Sequence, residues 1–268
     1  MHERPLGNPD AVPVRPERIA YSMRALGKSG LPATIHCDLG RCAHVLTVKH
    51  DFYAATGFYV SDTGEHVVLK VSRTTDFAGL PLQWLGRWLC TRELHFYRKL
   101  ADLPNVPRVL GSVGKTGFAH SFIAGHPLSK DQPVPDGFFD RLASLFEQLH
   151  DRGIAYVDTN KPQNILLGDD GQPYLIDFQI SWDSEVWHFK RLSRWILHLL
   201  RTEDRYHLLK HKNRLRPDEL TREERQRAEH RSWLIRAHRF IFRPYFLLRR
   251  RTFKRLRSTG RLLPEGTK

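Results

Sequence analysis

Cysteine is scarce in this 268-residue chain, with only Cys37, Cys42 and Cys90 present. So small and odd a number excludes a disulfide framework and fits a reducing cytoplasm. No uninterrupted run of 18 apolar residues occurs, which excludes a typical membrane-spanning helix. The opening MHERPLGNPDAVPVRPER is polar and proline-rich and lacks the apolar centre of a signal peptide. Acid is also short: 29 Asp and Glu face 43 Lys and Arg, a formal charge of +14. Such a field favours anionic partners, whether phosphates, nucleic acid or lipid headgroups. Between Arg231 and Pro264 there is no acidic residue at all. Apolar residues make up 40%, enough at this length for a packed globular core.

What is present is concentrated in Gly153–Ser181, GIAYVDTNKPQNILLGDDGQPYLIDFQIS. The apolar runs Ile165-Leu166-Leu167 and Tyr174-Leu175-Ile176 flank Gly168-Asp169-Asp170-Gly171, a composition that predicts a hairpin. Closing it brings Asn164 and Asp177 side by side at the open end, with Asp158 close behind. Two carboxylates and one amide oxygen at strand ends suit a hard cation such as Mg2+, whose shell is completed by substrate phosphates. The set reads as a phosphoryl-transfer constellation.

Upstream, Val45–Val48, Gly57–Val60 and Val67–Val71 read as antiparallel strands, followed by strands over 106–112 and 117–123. Lys70 falls inside an apolar strand, where a bare ammonium is expensive to bury. A helix over 82–100 supplies its partner: Leu85, Leu89, Glu93, Phe96 and Leu100 share one face, so Glu93 lies on the apolar stripe. Gly114-Lys115-Thr116 invites a phosphate-loop reading, but Val109 stands where a glycine is required and a strand follows, so it is a turn. His36, Cys37, Cys42 and His44 do not have the spacing of a common zinc site. Helices are expected over 17–26, 138–149 and 186–201, with a capping box at Thr221 and Glu224 opening another.

These residues resemble the protein-kinase-like superfamily. Tyr156-Val157-Asp158 stands where that family has His-Arg-Asp, Lys161-Pro162-Gln163-Asn164 where it has Lys-Pro-x-Asn, and Asp177-Phe178-Gln179 where it has Asp-Phe-Gly. The resemblance covers roughly residues 44–200. It implies Asp158 as catalytic base, Lys161 as a charge beside the transferred phosphoryl group, Asn164 and Asp177 as metal ligands, and Lys70 held against nucleotide phosphates by Glu93. It also implies a nucleotide clamp near Gly57 and an adenine-facing connector at Ile123 and Ala124. The departures are Tyr156, Gln179, an Asp158-to-Asn164 spacing of six where five is usual, and a tip, Lys49–Thr56, that is empty of glycine.

The resulting expectation is an α+β, two-lobed kinase-like fold. An arm and helix fill 1–43, a small lobe of antiparallel sheet with one helix fills 44–123, and a compact, mostly helical large lobe fills 124–268. The cofactors are ATP and Mg2+ and the activity is phosphoryl transfer to a hydroxyl. The compact second half, the missing activation loop and the basic aromatic segment 231–268 are most similar to bacterial lipopolysaccharide core kinases, which implies a glycolipid acceptor. Trp233, Phe240, Phe242 and Phe246 interleaved with arginines suit an anionic membrane surface more than nucleic acid, and suit equally a C-terminal helix packed on the large lobe with a solvated basic tail. A monomer, cytoplasmic and peripheral on the inner face of the membrane, completes the expectation. The competing readings are a serine/threonine protein kinase and a catalytically inactive kinase-like binding module.

Overall fold

The computed structural model describes residue 21, residues 24–77 and residues 80–229. The expected helix over 17–26 falls largely outside them; its described end, Arg24–Gly27, is a turn. The segment 231–268 also lies outside them.

Six strands form one sheet: β1 (Thr34–Cys37), β2 (Gly40–His50), β3 (Ala54–Ser61), β4 (His66–Ser72), β5 (Val109–Val113) and β6 (Gly117–Ser121). Their order is β1-β2-β3-β4-β6-β5, antiparallel throughout. The sheet curls until the ends of β1 and β5 meet, where the Asp38 amide donates to the Leu110 carbonyl at 2.7 Å. Its concave side encloses Ile35, Tyr59, Val67, Leu69, Leu110 and Ala119. β1 lies ahead of the boundary expected at residue 44. Its pairing partner Gly40–Ala43 contains glycine, arginine and cysteine rather than an apolar alternation, so periodicity does not announce it.

Helix α1 (Gln83–Lys99) follows β4 and buries Leu89, Glu93, Leu94, Phe96 and Tyr97. It approaches closely: a Cβ on Gly86 would lie 1.8 Å from the Arg73 carbonyl oxygen, so only glycine lets the helix settle against the end of β4. That seating carries Glu93 to Lys70. Arg73, fully buried, fixes the same corner with its guanidinium 4.1 Å from the Phe52 ring centroid.

A short β7 (Gly125–Pro127) pairs with β9 (Ile165–Gly168), which pairs with β10 (Pro173–Leu175). Between them run α2 (Phe138–Asp151) and β8 (Ile154–Ala155), the latter paired with β11 (Trp182–Asp183). The α2 stripe Phe138, Phe139, Leu142, Leu145, Phe146 and Leu149 is buried, as its spacing predicts. Helix α3 (Lys190–Leu215) is longer than the 186–201 expected, and α4 (Arg222–Glu229) starts on the expected capping box, Thr221 and Glu224 exchanging bonds of 3.0 and 3.2 Å. Gly114-Lys115-Thr116 forms the turn between β5 and β6. No described helix is long and apolar enough to cross a membrane.

Candidate active site

The hairpin of β9 and β10 pairs Ile165 with Leu175, so the residues just outside it, Asn164 and Ile176, are joined by the Ile176 amide donating to the Asn164 carbonyl at 3.1 Å. Asp177 is therefore delivered beside Asn164. The Asn164 amide nitrogen donates to Asp158 Oδ2 at 2.7 Å, and Lys161 Nζ reaches the same oxygen at 2.7 Å. Burial pushes the Asp158 carboxyl up, against the opposing pull of Lys161 and Asn164. A carboxylate of raised basicity is suited to receive a proton.

Lys70, buried in β4, donates to Glu93 Oε1 and to Asp177 Oδ1, both at 2.8 Å. One ammonium thus serves two carboxylates. Burial pushes Glu93 up to about 7, Lys70 notwithstanding, and its Oε2 has no hydrogen-bond partner. Asp177 experiences burial too, but Lys70 outweighs it and holds the group at about 2. Against burial, the two carboxylates keep Lys70 protonated, above its usual range.

Two residues here occupy backbone conformations that side chains avoid: Val157 at φ 69° and Asp177 at φ 62°. The surroundings over-determine both. Asp204, buried on α3, accepts from the amides of Tyr156 (2.8 Å) and Val157 (2.9 Å), from Thr159 Oγ1 (2.6 Å) and from His150 Nε2 (3.3 Å). Asp177 donates its amide to the Tyr97 hydroxyl at 3.2 Å. Tyr156, in place of histidine, is fully buried and its hydroxyl donates to the carbonyls of Asn164 and Ile176, tying the loop to the hairpin. Phe178 is enclosed by Phe96, Tyr97 and Tyr156. Past it, Arg92 donates to the carbonyls of Gln179 and Ser181, and Asp183 binds His95 (2.7 Å) and Lys99 (3.0 Å). The segment that follows Asp177 is therefore strapped directly onto α1.

The roof differs from expectation. Gly57 is mid-strand, opposite Leu69, and a Cβ there would meet Leu31 Cδ1 at 2.5 Å. It faces the sheet's own core and is not brought to the Lys70 side. At the tip of the β2–β3 hairpin two amides are already taken, Asp51 Oδ1 accepting from Tyr53 (2.8 Å) and Ala54 (2.9 Å). Instead Lys49 pairs with Thr56, which pairs with Lys70, one row across three strands and on one face. Lys49 is exposed, bridges Asp51 at 2.9 Å, and its charge helps depress Asp177. Ile123 and Ala124 sit in the connector between β6 and β7, where the Ala124 carbonyl already accepts from the Asp169 amide at 3.0 Å.

Lys49 and Asp204 are the residues of the candidate site that spacing alone does not reveal. A signal existed for the second: Leu197, Asp204, Leu208 and His211 follow one buried stripe, the same anomaly that exposes Glu93. The donors available to a cation are hard oxygens, the ionised Asp177 and the side-chain oxygen left on Asn164, and they fit Mg2+. Among the described residues no three His, Cys, Asp or Glu side chains gather as a cage. Cys37 and Cys42, 3.5 Å apart at sulfur, remain free thiols.

Together, curled sheet, α1 and hairpin define a protein-kinase-like fold. No protein-family model matches the chain and no curated protein matches it. Among solved structures it is similar to the Rio2 kinase ADP/Mg2+-phosphoaspartate complex from Chaetomium thermophilum, with a TM-score of 0.51 and 15% identity over 69% of this chain. The match spans 60% of that structure's own chain, less than two thirds of its length. A second Rio2 kinase structure from the same organism matches with a TM-score of 0.43 and 16% identity, over 66% of this chain and 68% of that one. At this identity the likeness concerns the fold alone.

Proposed function

We propose that the chain is an ATP- and Mg2+-dependent phosphotransferase acting on a hydroxyl, with residues 44–123 as the nucleotide-covering lobe and 124–268 as the acceptor lobe. The observation that carries this is Lys70 bridging Glu93 and Asp177 at 2.8 Å each, next to Asp158 bonded to Asn164 at 2.7 Å. Lys70 and Lys49 face the nucleotide phosphates, and Glu93 holds Lys70 in place. Asn164 and Asp177 would hold Mg2+, which supplies charge neutralisation on the transferring phosphoryl group when bound. Asp158 orients the acceptor hydroxyl and takes its proton, while Lys161, half exposed beside it, counters charge at the departing oxygens. Catalysis is positioning plus electrostatics, and the strapped Val157 and Asp177 supply the pre-organisation.

The acceptor we infer is a membrane-associated glycolipid such as a lipopolysaccharide core sugar. Support comes from the short passage between Asp177 and α3, pinned to α1 and to β8, which leaves little for a peptide platform. The likeness to Rio2 kinase is what favours the second reading, a protein kinase. The inactive module is the third. Labelled ATP, supplied with a membrane extract, with a generic protein substrate or with neither, separates them. Label on lipid is the expected result; label on protein selects the second reading, and no transfer from any acceptor selects the third.

A further inference from the structure

Tryptophan belongs in cores, yet four of the five described tryptophans are not there: Trp84 is 64% exposed, Trp88 53%, Trp187 47% and Trp195 58%. Phe189, at 76%, and Ile180 join them. These side chains are not scattered. Trp84 and Trp88 are one turn apart on α1. One turn further, the Arg92 guanidinium lies 5.5 Å from the Trp88 centroid and binds the carbonyls of Gln179 and Ser181, which flank Ile180. Trp182 then stacks on Trp187 at 4.8 Å, and α3 opens with Phe189 and Trp195, anchored by Ser193 Oγ donating to the Ser184 carbonyl at 3.0 Å. A belt of aromatic surface runs from α1, past a point three residues beyond Asp177, to the first turns of α3.

Its charge is mainly positive: Asp183, inside the belt, is buried against His95 and Lys99, and the exposed Glu185 is paired with Lys99. Residues 80–92 and 186–202 contain Arg87, Arg92, Lys190, Arg191, Arg194 and Arg201 and no acidic residue. We propose that this belt is a docking surface for an anionic phospholipid bilayer, which it would grip with the acceptor side of the active site turned toward the headgroups. Indole rings and cationic side chains together match the interfacial zone of a bilayer, apolar on one side and negatively charged on the other. A second copy of the chain is a poor occupant, because a two-fold contact would set cations against cations. The chain's own segment 231–264 is a poor one for the same reason, carrying no acid. The proposal deepens the glycolipid reading by naming the surface that brings enzyme and acceptor together, but vesicle binding is read independently of phosphoryl transfer.

The test is co-sedimentation of the full chain with phosphatidylcholine vesicles that contain or lack phosphatidylglycerol. Binding only to the anionic vesicles, weakening as salt rises, is expected. Trp84→Ala/Trp88→Ala/Trp195→Ala and, separately, Arg191→Glu/Arg194→Glu should each lower that binding roughly tenfold or more. Both variants should keep the wild-type melting temperature and vesicle-free ATP turnover. Arg249→Gln/Arg250→Gln/Arg251→Gln should lower it less. Wild-type vesicle binding by folded variants of the belt would overturn the proposal and move the membrane contact to the tail. So would absence of vesicle binding by the wild type, or a wild-type dimer that the tryptophan substitutions dissociate. Failure of ATP turnover alone would sink the catalytic reading and leave the docking surface standing.

Discussion

The floor and the roof of the cleft are built by different means. In the floor Asp158 is held by Lys161 and Asn164, the amides of Tyr156 and Val157 by Asp204, and Asp177 by Lys70 and Tyr97. The roof, by contrast, is a hairpin whose tip bonds to itself through Asp51 and whose charge in line with Lys70 is the exposed Lys49. A loop of free amides can wrap phosphate oxygens closely. This hairpin offers the exposed Lys49 ammonium instead. On the proposed function the floor is pre-organised for chemistry and the roof contributes field strength more than shape, so changes in the floor should lower turnover or stability while changes in the roof should alter nucleotide affinity.

The largest effect expected is on the floor's support. Asp204→Ala strands two amides, a hydroxyl and an imidazole in the interior, and should cost on the order of 3–5 kcal/mol in denaturant unfolding. A loss under 1 kcal/mol would mean that the loop does not depend on this carboxylate. Next, Asp158→Asn should reduce turnover by at least ~10²-fold with the fold unchanged by circular dichroism; near-normal turnover would remove it as the base. Lys49→Gln probes the other side of the cleft. It should raise the KM for ATP roughly tenfold and leave kcat nearly unchanged, the signature of lost uniform binding. A kcat effect as large as that of Asp158→Asn would erase the distinction between floor and roof.

The smallest effect near neutral pH comes from His120, stacked on Tyr97 behind Lys70, which burial pushes down to about 4. Between that value and the ordinary 6.5 the unfolded chain takes up a proton that the folded one refuses, so this group's contribution falls as pH drops from 6.5 toward 4. His120→Phe should flatten the acid limb of an unfolding-free-energy profile by on the order of 1 kcal/mol per pH unit below 6.5. A steeper limb would contradict the burial account.

Much of the floor was legible because each of its residues breaks a periodic pattern. Lys70 interrupts an apolar strand, Glu93 an apolar helical stripe, and Asn164 and Asp177 end the two arms of a hairpin with an unambiguous turn. Asp204 breaks a stripe in the same way, but Thr202-Glu203 reads as the polar end of a helix that in fact continues to Leu215. The roof was misjudged by parity. Gly57 and Thr56 are neighbours, and side chains on a strand alternate faces, so placing the clamp one residue along puts it on the wrong side of the sheet. Lys49 was hidden because a register shift between Thr47 and Lys49 breaks the count along β2. Tyr156, a departure by sequence, is accounted for by two carbonyls that only a hydroxyl at that reach can bridge.

Calorimetric titration with ATP, with and without Mg2+, on the wild type and on Asp177→Asn, tests the floor most directly. If Asn164 and Asp177 hold a cation against the nucleotide phosphates, Mg2+ should tighten ATP binding by at least about tenfold in the wild type, a gain on the scale of one well-placed charge. That gain should vanish in Asp177→Asn. Equal affinity with and without Mg2+ in the wild type, or a gain that survives the substitution, would contradict the account.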